Sequence, residues 1–111
     1  MQPRLKAEIW VKAHIRLCWT KEVIAVVARR GDEMAGTVLI KLNTLTAGCS
    51  VLQLAPSLDG SRTWLRATGS ELVAEADADA YIDRQVNVDP DLWVLEIEDR
   101  EGRHFLDDPV E

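Results

Sequence analysis

Residues 92–105 read Leu92-Trp93-Val94-Leu95-Glu96-Ile97-Glu98-Asp99-Arg100-Glu101-Gly102-Arg103-His104-Phe105, and the way this segment runs sets the architecture around it. Trp93, Leu95 and Ile97 alternate with Val94, Glu96 and Glu98, the period of a strand with one strongly apolar face. Gly102 sits where a type I turn with a bulge requires a left-handed residue. A three-residue loop would then pair Asp99 with Arg103, Glu98 with His104 and Ile97 with Phe105. That register puts Trp93, Leu95, Ile97 and Phe105 on one face and Glu96, Glu98 and His104 on the other.

Upstream, residues 74–86 carry Ala76, Ala80 and Ile82 among Glu75, Asp77, Asp79 and Asp83. Small apolar spacing with acids in the first turn predicts a helix, because the helix dipole favours negative charge at its N-terminus. Asp89-Pro90-Asp91 ends it, since proline pushes the preceding residue to extended geometry. Strands are predicted at 37–44, 50–55 and 62–68, separated by Ala47-Gly48 and by Pro56 with Asp59-Gly60. Residues 23–28 are apolar on both faces, the pattern of a central strand covered on both sides. Residues 9–19 fit either period, but a strand running from 6 to 19 would be unusually long, so they are read as a helix. The predicted fold is α+β: one domain spanning 1–111, a mainly antiparallel sheet of five to six short strands with two helices packed on it, and a mobile acidic tail.

Composition bounds the function. The chain has 111 residues, 47% hydrophobic and 29% charged, which excludes a disordered tail or a disulfide-stapled mini-protein. A net charge of −6 makes nucleic acid a poor default partner. The longest apolar run, 23–28, is too short to span a bilayer, and Arg4, Lys6, Glu8 and Lys12 interrupt any signal-peptide core, so no membrane association is expected. Cys18 and Cys49 stand alone, outside any metal-ligand spacing, and are read as reduced thiols in a cytoplasmic protein.

Several segments together carry a resemblance: Leu5-Lys6-Ala7-Glu8-Ile9-Trp10-Val11, Arg29-Arg30-Gly31-Asp32, Val38-Leu39-Ile40-Lys41-Leu42-Asn43, and Asp89-Pro90-Asp91-Leu92-Trp93 running on to Asp99 and Gly102-Arg103-His104. The chain resembles a family of small bacterial proteins of about 110 residues known as a domain of unknown function. The resemblance covers nearly the whole chain, and Asp-Pro-Asp-Leu-Trp is its most specific part. It implies a stand-alone cytoplasmic domain and transfers no catalytic residue.

Phosphate-binding, dinucleotide-binding, zinc-protease and serine-hydrolase motifs are all absent from the sequence, and no cofactor is expected. Charge is instead strongly polarised. Residues 1–70 hold ten basic and five acidic side chains, whereas residues 71–111 hold three and fourteen. Either the acidic half folds back over the basic half, or a basic face awaits a partner.

Two constellations follow. On a strand, Arg62, Trp64 and Arg66 share a face, an aromatic plate between guanidinium groups that suits an anionic ligand, a peptide or a base; a tryptophan covering the sheet is the plain alternative. Glu96, Glu98 and His104 on one face would supply carboxylates and an imidazole for a divalent ion or acid–base chemistry, although no third metal ligand is indicated. A solvated edge hairpin is the plain alternative there. The leading expectation is a non-enzymatic interaction or regulatory module that binds a protein or a second copy of itself through Arg29, Arg30, Lys41, Arg62, Trp64 and Arg66. A metal-dependent hydrolase using Glu96, Glu98 and His104 comes second, and a nucleic-acid accessory protein third.

Overall fold

In the computed structural model, residues 6–34, 36–55 and 61–111 are described. The loop expected at Pro56 and Asp59-Gly60 lies outside them, as do Arg4 and Leu5. The elements run α1 (Ala7–Thr20), β1 (Ile24–Arg29), β2 (Val38–Asn43), β3 (Cys49–Ala55), β4 (Thr63–Arg66), α2 (Glu75–Val88) and β5 (Trp93–Glu98). They build an α+β domain on one open five-stranded sheet in the order β1-β5-β2-β3-β4. Three of its four pairings are antiparallel, while β5 lies parallel to β2.

That order explains the main departure from the expected hairpin. The last strand inserts between the first two, with Ala25 opposite Ile97 on one side and Ile40 opposite Leu95 on the other. Both hydrogen-bonding edges of β5 are then occupied, so residues 103–105 have no edge on which to pair. The turn itself forms: Gly102 has φ +69° and its N–H donates to the Asp99 carbonyl. Instead of continuing as a strand, Arg103 clamps the Asp99 carboxylate through Nε and Nη2 at 2.9 and 3.0 Å.

Strand alternation divides the core into two layers. Val38, Ile40, Leu42, Leu52, Trp64, Trp93, Leu95 and Ile97 face α1, where Ala7, Val11 and Cys18 close the layer. Leu39, Cys49, Val51, Leu92 and Val94 face α2, which contributes Ala78 and Ile82, one turn apart. Phe105 and Leu106 join the α1 layer, so the expected grouping of Phe105 with Trp93, Leu95 and Ile97 forms without strand pairing. Helix α1 ends without a glycine: Glu22 takes φ +61°, and Glu22 and Val23 donate to the Trp19 and Cys18 carbonyls. These are the two bonds of a Schellman cap, and the buried Val23 and Cys18 supply its hydrophobic contact.

The β1–β2 connection must step across the start of β5, and it does so in close contact. Asp32 N–H donates to the Asp91 carbonyl at 2.9 Å, Trp93 N–H to Thr37 at 2.8 Å, and the Trp93 indole to Asp32 at 2.7 Å. Arg29 Nη1 donates to the carbonyls of Pro90 and Leu92 at 2.9 and 2.8 Å. The Arg29-Arg30-Gly31-Asp32 and Asp89-Pro90-Asp91-Leu92-Trp93 segments are therefore one packing unit.

The strand at 23–28 is corrected by the topology: β1 is an edge strand, not a central one. Ile24, Val26 and Val27 are 47%, 45% and 41% exposed, while only Val23 and Ala25 are buried. The opposite edge is occupied. Residues 109–111, read in the sequence as a tail, run along β4, with Trp64 N–H donating to Pro109, Glu111 N–H to Trp64, and Arg66 N–H to Glu111.

Candidate interaction surface

Glu96 and Glu98 lie on the α2 side of β5, whereas His104 lies on the α1 side, so the structure does not bring the three together. The cause is the occupied edge of β5, which denies His104 its expected place opposite Glu98. The His104 carbonyl accepts from His14 Nε2 at 2.8 Å, and its ring Nδ1 accepts from Leu106 N–H at 3.0 Å. Among the described residues no three His, Cys, Asp or Glu side chains are grouped to hold an ion. A shallow cleft of about 220 Å³ at the start of α1 is below the ~300–1,000 Å³ of ligand sites. Two of its charged residues, Glu8 and Lys12, pair with each other at 2.8 Å.

The two imidazoles nevertheless couple stability to pH. Burial lowers the His14 pKa despite the opposing bond to His104 and the nearby Asp107; burial, then Arg66 and His14, lowers that of His104. A histidine held neutral in the fold binds protons more readily when unfolded, so its stabilisation is present above pH 6.5 and is lost as pH falls below it. Thermal unfolding should show the midpoint falling between about pH 6.5 and pH 5, with a shallower fall in a His14→Gln/His104→Gln variant. An unchanged slope in that variant contradicts the assignment.

The basic residues disperse. Trp64 is fully buried, 5.5 Å from the Trp10 ring, with His14 stacked on the other tryptophan at 4.9 Å. Its face is therefore closed to a base, which overturns the open aromatic plate between Arg62 and Arg66; α1 and the 104–111 segment cover that side of the sheet. Arg62 lies over the Trp10 ring and 3.5 Å from Asp108. Arg66 is exposed. Arg30 packs over Trp93 and reaches Glu8 at 3.2 Å.

Lys41 is not a surface cation. Its side chain is 7% exposed on the α2 face of β2, with Nζ 2.7 Å from both Glu75 and Asp79 and 3.9 Å from Glu96. Burial alone would lower its pKa; hydrogen bonds to Asp79 and Glu75, with the charge of Glu96, overcome this and raise it. Asn43 Nδ2 bridges Glu75 and Glu96. The cluster clamps α2 to the sheet, and part of the charge asymmetry closes within the molecule. Both cysteines are buried, and burial raises their pKa values, which keeps them as thiols rather than nucleophilic thiolates.

Among the described residues, the edge that remains open is β1. The exposed Trp19 indole donates to the Ala25 carbonyl at 3.1 Å, so the Ala25 peptide faces away from β5. Antiparallel alternation turns the peptide groups of Val27 the same way. The strand presents Ile24, Val26 and Val27 beside this edge, with Arg29 and Arg30 at its far end. Sequence reading missed the site because a strand covered by neighbours and one awaiting cover share the same doubly apolar pattern.

Fold and surface define a class: a small α+β domain with one capped and one open sheet edge, and no catalytic constellation assembled among its described residues. Within that class the chain belongs to the DUF1491 family of proteins of unknown function, whose family model matches residues 5–107. It is similar to a DUF1491 family protein from Caulobacter crescentus CB15, with 45% identity and a TM-score of 0.88 against the crystal structure, covering 97% of this chain and 100% of that one. Against an NMR structure of a DUF1491 family protein from the same organism the identity is 44% and the TM-score 0.86, with 99% of each chain covered. The solution structure of protein Atu0922 from A. tumefaciens is similar at 28% identity and a TM-score of 0.74, over 86% of each chain. No curated protein matches the chain. No described helix is long and apolar enough to cross a membrane.

Proposed function

We propose that the protein is a non-enzymatic interaction module of the bacterial cytoplasm and that β1 is the surface it offers. The observation that carries this reading is the open edge: three large aliphatic side chains more than 40% exposed on a strand whose sequence is apolar on both faces. Uncovered apolar edges invite association, and proteins that do not use them blunt them with charge, proline or a covering segment. The far edge has such cover in residues 109–111; among the described residues, β1 has only the Trp19 indole. Arg29 and Arg30 at the end of the strand, with the exposed Arg66 elsewhere, supply the cationic margin.

Val26→Lys tests this at a position whose side chain is 45% exposed, so folding is preserved. The tagged wild type should retain at least one protein from bacterial extract that the variant, at equal thermal stability, loses. Identical capture by both proteins would overturn the reading.

A further inference from the structure

We propose that residues 104–111 form an acid-released strap: a proton on Nδ1 of His104 frees them from β4 and uncovers the tryptophan face of the sheet beneath. The strap lies at the opposite end of the sheet from β1, and its release does not depend on what that strand binds.

The strap begins with a hook, His104-Phe105-Leu106. Leu106 N–H donates to His104 Nδ1 at 3.0 Å. A peptide N–H can only donate, so this bond exists only while Nδ1 keeps its lone pair. An imidazolium is a donor at both nitrogens and would set one N–H against another. The residue spanned by the bond is Phe105, whose φ of +58° lies in the left-handed region. A bulky side chain stays in that region only where its surroundings hold it there. The ring bond therefore locks a strained link, and one proton removes the lock. His14 cannot act this way. Its Nε2 donates to the His104 carbonyl at 2.8 Å, and a proton on its Nδ1 leaves that bond in place.

Beyond the hook, three backbone bonds of 2.7–2.9 Å join residues 109–111 to β4, and Asp108 meets Arg62 at 3.5 Å. Leu106 and Val110, both half-buried, pack on the core layer that holds Trp64, itself 0% exposed. Charge favours release once the proton is in place. Arg66 on β4 and His14 on α1 face the His104 ring, and both oppose an imidazolium there. Asp107 acts on His14, where it favours the charged form. Opening relaxes Phe105, hydrates the imidazolium and takes it away from Arg66. The strap is therefore closed above pH 6.5 and progressively released as pH falls below it.

Amide exchange followed by NMR on the full chain, corrected for the intrinsic effect of pH on exchange, reads this opening. The Trp64 and Arg66 amides donate to the strap. Leu65, between them, turns its amide toward β3 and is the internal control. From about pH 7.5 to about pH 5.5, protection of Trp64 and Arg66 should fall roughly fivefold, against a ceiling of about tenfold for one titrating group. Leu65 and Ile97 should hold. His104→Asn should abolish the fall, because an asparagine oxygen accepts from the N–H two residues on and does not titrate. His14→Gln, which keeps an N–H donor, should retain it. The wild type alone gives a second reading: its His104 nitrogen resonances should show Nδ1 unprotonated at about pH 7.5. Unchanged protection at the lower pH, an equal fall at Leu65 and Ile97, a fall that survives in His104→Asn or disappears in His14→Gln, or a protonated Nδ1 at the higher pH would overturn the proposal.

Discussion

Gly31→Ala should lower stability by about 3 kcal/mol, and the midpoint of thermal unfolding by roughly 10–20 °C. A Cβ at this position would overlap the Asp91 carbonyl oxygen and lie 2.7 Å from the Leu92 carbonyl carbon and from Trp93 Cδ1. None of these can yield cheaply, because two are backbone at the entry to a central strand and the third belongs to a tryptophan 2% exposed. Moving the loop away would also stretch the Asp32–Asp91 and Trp93–Asp32 hydrogen bonds, each contributing about 1 kcal/mol. Gly69→Ala is the control. That residue has φ +96° but nothing within 4 Å of the added carbon, so it bears only the backbone cost of about 1–2 kcal/mol. If chemical denaturation finds Gly31→Ala no worse than Gly69→Ala, the close docking of the β1–β2 connection on β5 is wrong.

The second large effect is asymmetric. The Glu75→Gln/Asp79→Asn pair should cost about 3 kcal/mol or more, whereas Lys41→Met should cost roughly 1 kcal/mol or less. The members of this cluster differ in their access to water: Lys41 is 7% exposed, while Glu75 and Asp79 are 56% and 51% exposed. Without the lysine, the two carboxylates turn outward and rehydrate, and methionine fills the apolar path beside Leu39 and Val51. Without the two carboxylates, an ammonium group stays buried with only Glu96, at 3.9 Å, to oppose it. Removing Glu75 also takes negative charge from the first turn of α2, where the dipole favours it. Equal losses for the two variants, measured by denaturant unfolding, would contradict the buried-lysine account.

What could be read in the sequence was local. The alternation of Trp93, Leu95 and Ile97 and the alanine spacing of α2 each depend on neighbours a few residues away, and both elements form where expected, as does the helix read at 9–19, although that helix buries Ala7, Val11, His14 and Cys18. Strand order depends on pairings across 55 to 74 residues, and no local pattern announces that β5 enters between β1 and β2. That one insertion changed several readings at once. It denied residues 103–105 a strand partner, moved His104 to the far side of the sheet from Glu96 and Glu98, and left β1 outside. The Lys41 cluster had a usable signal in Glu75 and Asp79, two acids one helical turn apart facing a lysine on an apolar strand. The burial of Trp64 had none, because Arg62-Thr63-Trp64-Leu65-Arg66 reads alike whether solvent, a helix or a ligand lies over it.

Amide hydrogen exchange resolves, residue by residue, whether the β1 edge is free in the monomer and covered on association. In dilute protein the Ala25 and Val27 amides should exchange far faster than those of Leu95 and Ile97, which bond within the sheet. As protein or partner concentration rises, Ala25 and Val27 should become protected while the β4 edge stays unchanged. Slow exchange at Ala25 and Val27 in the dilute monomer, or no protection on association, would contradict the interaction reading.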